Sequence, residues 1–170
     1  MAGDGTRHLP VRLERGVSLS LGLGAAIFLL AMMLVTTVDV AGRYLFATPL
    51  PGAFELTQLL LAATVFAGLP LVTLKEEHVS VTLLSERLKG RAAALHGALS
   101  SALSAAVFIV VARQLGVQAM RLASYGDTTS LLRIPMAPLA WTMSVLAGLT
   151  AFILVALAVS HLLGAIRGRR

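Results

Sequence analysis

Cysteine is absent from this 170-residue sequence, and charged and aromatic residues are scarce. Without a thiol, disulfides, thiolate metal sites and cysteine nucleophiles are excluded. Charged residues make up 13% of the chain, against about 25% in an ordinary soluble domain. Also missing are a phosphate-binding glycine loop, a metal-ligand cluster, and a serine, histidine and acid set within one compartment. The chain therefore reads as non-catalytic, with no cofactor and no metal.

What is present is apolar length. Gly16 to Val38, Leu56 to Leu74, Ala92 to Ala112 and Ile134 to Ser160 carry no charged side chain over 23, 19, 21 and 27 residues. About 20 such residues in a helix cross the roughly 30 Å hydrocarbon core of a bilayer. The expected fold is an all-α membrane protein, a single integral membrane domain over 1–170 with four transmembrane helices at about 16–38, 56–74, 92–112 and 134–160. The connections are too short to hold a soluble catalytic domain. The net charge of +6 does not imply a nucleic-acid partner, because the basic residues sit at span ends, where lipid headgroups lie.

Basic residues also set the expected orientation. Ten of the 14 Lys and Arg lie in the N-terminal tail, the second connection and the C-terminal tail. The other four, Arg43, Arg113, Arg121 and Arg133, lie in the first and third connections. By the positive-inside rule both termini face the cytoplasm. Arg7, Arg12 and Arg15 precede an apolar run too long for a signal-peptide core, which reads as a retained first helix.

The second connection places Val79, Leu83, Leu84 and Leu88 at roughly helical spacing. This suits either a short amphipathic helix lying in the interface between spans 2 and 3 or a solvated hairpin. His78 stands in the same connection as a candidate interfacial turn residue. Pro51 fits the first turn of the second span, Pro135 and Pro138 fit that of the fourth, and Pro70 should kink the second span.

Three charges flank the first connection. Asp39 and Arg43 have the i, i+4 spacing that lets them pair on one helix, and Glu55 opens the second span, where the helix dipole favours a carboxylate. Arg43 suits either acid as a partner. The three are candidates for pinning helices together or for a subunit interface, or else they are hydrated at headgroup level. His96 and His161 fall near the cytoplasmic face, and an imidazole pair at matched depth allows a haem-b-binding membrane anchor as an alternative. Gly97, Ser101 and Ala105 form one small-residue stripe, and Ala140, Ser144 and Gly148 another; such stripes are helix-packing faces. Tyr44 and Trp141 fit an aromatic belt. The spans show no inverted repeat and no paired mid-membrane interruption, which points to an accessory subunit over a free-standing small transporter.

The run Asp39, Arg43, Tyr44 and Phe46, then Pro-Leu-Pro-Gly at 49–52, Phe54-Glu55-Leu56, Phe66-Ala67-Gly68 and His78-Val79-Ser80-Val81 resembles the small membrane subunit of tripartite ATP-independent periplasmic (TRAP) transporters. Thr128-Thr129-Ser130-Leu131 and Ile134-Pro135 extend the likeness toward the last helix, while Glu77 and Thr82 depart from the pattern. The resemblance implies a bacterial inner-membrane subunit that scaffolds a large membrane subunit. That partner would carry out ion-coupled symport of an organic acid delivered by a periplasmic substrate-binding protein.

Overall fold

The structure, a computed structural model, describes residues 11–74 and 91–166. Helices α1 (Val11–Phe46), α2 (Ala53–Leu74), α3 (Arg91–Tyr125) and α4 (Ala137–Ile166) account for nearly all of them. Each is long and apolar enough to cross a membrane. His78 and the leucine-patterned second connection lie outside the described residues.

Two helices outrun their charge-free stretches by more than two turns at the end nearer the first or third connection, each for a visible reason. Helix α1 continues beyond Val38 to Phe46 because Asp39 and Arg43 pair along its surface instead of ending it. Helix α3 continues beyond Ala112 to Tyr125 because Arg113 and Gln114 are exposed while Ala119 on the other side is fully enclosed. Its end is a Schellman motif: Gly126 takes a left-handed φ of 68°, and Asp127 N donates to Leu122 O at 3.1 Å. The third connection is thus 126–136, much shorter than the span from Arg113 to Arg133 that charge alone suggests.

The helices form an open row in the order α1, α2, α4, α3. The α3–α4 contact is the most extensive, α1 packs on α2, and α2 against α4 joins the two hairpins. Among the described residues eight of the ten buried apolar side chains are alanines, the other two being Pro70 and Leu154. The large apolar residues point away from the row, and the most apolar stretch of α1 has nothing buried. Small residues let backbones approach closely, which holds membrane helices together where lipid removes the hydrophobic drive between them.

The α3–α4 seam shows the spacing behind this. Ala98, Ala105, Ala112 and Ala119 recur every seven residues on α3, and Ala140, Ala147 and Leu154 do so on α4. A seven-residue period keeps one seam facing its partner along a left-handed crossing. Midway, Ser144 Oγ donates to Ala112 O at 2.8 Å. Of the two expected stripes, Ala105 and Ala140 are buried, Ser144 bonds across, and Ser101 is half-buried. Gly97 meets the His161 ring at 3.4 Å from where a Cβ would stand, whereas nothing lies within 4 Å of that point on Gly148.

Candidate functional site

The best-organised polar structure lies where the α1–α2 and α3–α4 connections meet, here termed the turn end. Its first part is the α1–α2 turn. Thr48 N donates to Gly42 O at 3.0 Å, folding the chain back over α1, and Ala47 takes a left-handed φ of 52° to do so. The close return requires a glycine: a Cβ on Gly42 would stand 2.7 Å from the Thr48 carbonyl oxygen. Leu50, Pro51, Gly52 and Ala53 then form a tight turn, with Ala53 N donating to Leu50 O at 3.2 Å. Proline followed by a glycine at φ 77° is the pattern of a type II turn.

Asp39 holds this turn. One carboxylate oxygen accepts from Leu50 N and the other from Arg43 Nη2, each at 2.9 Å. The Asp39 side chain is only 15% exposed, so the acid is committed to the turn, while the Arg43 side chain, 61% exposed, keeps most of its guanidinium free.

Glu55 is engaged elsewhere. Its Oε1 accepts from Leu131 N at 2.7 Å and its Oε2 from Leu132 N at 3.0 Å. A carboxylate suits two adjacent N–H groups because it offers only acceptors. These donors sit at the tip of a small hairpin closed by a Thr128–Pro135 bridge, with Met136 N donating to Asp127 O at 3.1 Å and Thr129 N to Ile134 O at 3.0 Å. Ile134 N is met by Thr129 Oγ1 at 3.1 Å, and Arg133 takes a left-handed φ of 51° to complete the bend. The Leu132 side chain rests on Gly52, in space that a Cβ there would occupy. Asp39 and Arg43 are thus brought together, whereas Glu55 clamps the third connection to α2. Beside Asp39, the ends of α1 and α2 leave an open cleft of about 440 Å³ with Met32 and Phe54 in its walls.

A sequence pattern running through this site decides the family. Residues 32–164 match the model of the DctQ component of tripartite ATP-independent periplasmic transporters, from the middle of α1 to the last turn of α4. The chain belongs to this family. No curated protein and no solved structure shows a comparable match. The DctQ component is a non-catalytic part of a TRAP transporter, here a multi-pass membrane protein with four candidate spans. The matched region contains every residue of the clamp. Among the described residues no three His, Cys, Asp or Glu side chains gather as metal ligands. The His161 ring lies against Gly97 in the α3–α4 seam.

Charge spacing alone does not identify Leu131 and Leu132 as the partners of Glu55, because their contribution is backbone N–H. The signals that could have found them are Gly52 after Pro51 and Gly126 after Tyr125, which mark two turns at one end of the row. Gly42→Ala is expected to push Thr48 off α1 at a cost of about 1–3 kcal/mol, as overpacking against backbone does. A lowered midpoint in a heating series read by gel filtration of the detergent-solubilised protein would show it; an unchanged midpoint would mean that the turn relaxes freely.

Proposed function

We propose that this DctQ chain is the scaffolding subunit of its transporter. Both termini lie in the cytoplasm and the turn end faces the periplasm of a bacterial inner membrane. The large membrane subunit moves an organic acid with a coupling ion, and a periplasmic binding protein delivers it. The observation that carries this reading is the open row: small side chains are spent between the helices, and large apolar ones face outward, toward lipid and a companion subunit. The positive-inside bias supports the orientation. The Glu55 clamp supports the scaffold, since it makes the two turn-end connections one surface.

A tagged chain extracted in mild detergent is expected to bring down a much larger membrane protein, and the chain alone in vesicles to transport nothing. Uptake by the isolated chain would overturn the proposal. The purified chain is also expected to be colourless, without a Soret band; its appearance would restore the haem-anchor alternative for His96 and His161.

A further inference from the structure

Cross-contacts along the row allow heights on different helices to be compared. Glu55 bonds to Leu131 and Leu132, and Leu132 rests on Gly52, so the start of α2 is level with the hairpin that leads into α4. Ser144 is the seventh residue after Ala137, which places it about 10 Å further down α4. Its bond to Ala112 O puts Ala112 at that same lower level. The charge-free stretches can then be laid on one scale. On α2 the stretch runs from 56 to 74, starting at the turn end and reaching about 28 Å down. On α3 it runs from 112 back to 92, starting about 10 Å lower and ending about 12 Å lower than that of α2.

Both ends of the apolar zone shift in the same direction by nearly the same distance, so its thickness is preserved and its faces are oblique to the helices. The free surfaces agree. On α3 the exposed stripe of Leu99, Leu103 and Val110, the last 66% exposed, is continued by exposed Gln114 and Gln118, with Met120 and Tyr125 the exposed large apolar residues beyond them. At the opposite edge, α1 carries exposed apolar residues beyond Asp39, with Leu45 and Phe46 at 76% and 73%. Gly22 against Leu71 keeps α1 in register with α2.

Helices α2 and α3 flank α4, so roughly 16–20 Å separates them at ordinary packing distances. We infer that the row sits inclined in the bilayer, leaning along its own plane by roughly 30°, an angle within the range found for spanning helices. This seat brings Arg113 to headgroup level with Glu55 and lifts the last three turns of α3 clear of hydrocarbon. An upright seat would instead leave Arg113, exposed and without a bonding partner among the described residues, about 10 Å inside the lipid, where a charge is costly.

The inference rests only on the chain's spanning the membrane, and its test uses the full chain alone. Because cysteine is absent, Leu61→Cys, Gln114→Cys and Leu99→Cys each supply a single site for a nitroxide. Leu61 and Gln114 lie at nearly one height along the row, on α2 and α3. The readout is collision with oxygen against collision with a water-soluble nickel chelate, in phosphatidylcholine–phosphatidylglycerol vesicles. An inclined row places Leu61 and Leu99 in hydrocarbon, where oxygen dominates, and Gln114 among headgroups, where the chelate does. Equal depth for Leu61 and Gln114, with Leu99 at the opposite surface, would establish an upright seat and overturn the inference. So would a Leu61 label outside hydrocarbon. Failure of co-purification with a large subunit would leave these readings unchanged, which separates this inference from the assembly role.

Discussion

Glu55→Ala is expected to release the 127–136 hairpin and to remove most of the large subunit recovered with a tagged chain, together with most of the uptake in vesicles containing the whole transporter. Both bonds to Leu131 N and Leu132 N are lost at once, and Leu132 loses the anchor that seats it on Gly52. Glu55→Gln should give a smaller loss in the same direction. An amide retains one oxygen, but it turns its NH₂ toward a backbone donor, so only one of the two bonds survives. Asp39→Asn offers the contrast: its amide oxygen can still accept from Leu50 N while its NH₂ cannot pair with Arg43, and the turn should hold. Normal assembly and uptake in Glu55→Ala would show that the clamp serves no purpose in the complex.

Ala119→Leu is expected to be the most damaging apolar substitution. Ala119 is fully enclosed in the α3–α4 seam, and Ala147 is equally enclosed on the facing helix. A leucine at either place must force the helices apart, costing about 1–3 kcal/mol and sometimes more. The separation also breaks the bond from Ser144 to Ala112, whose own worth is about 0.6 kcal/mol by analogy with other membrane helices. Ser144→Ala alone should therefore be mild. Heating detergent-solubilised variants and following aggregation by gel filtration would rank them. Equal midpoints for Ala119→Leu and Ser144→Ala would contradict a close-packed seam.

The four helices were legible because lipid solvation imposes a simple rule, an uncharged run of sufficient length, and this chain obeys it four times. The helix ends were less so. A charge marks where a helix leaves hydrocarbon, not where it stops, and Arg113 sits in the interior of α3 because the packed side of that helix continues to Ala119. Stripes of four-residue spacing overlap the α3–α4 seam only in part, because its alanines recur every seven residues. At the turn end, Asp39 with Arg43 follows from local spacing on one helix. The partners of Glu55 lie 76 and 77 residues away and donate backbone groups, so side-chain chemistry carries no trace of them.

Among the described residues helix α1 packs extensively on α2 alone, which leaves most of its surface to fatty acyl chains or another polypeptide. In a detergent harsh enough to strip both, the first helix should swing away before the other three separate, since only one flank holds it. Extraction chemistry would then decide whether an isolated sample is intact or has already opened at its edge.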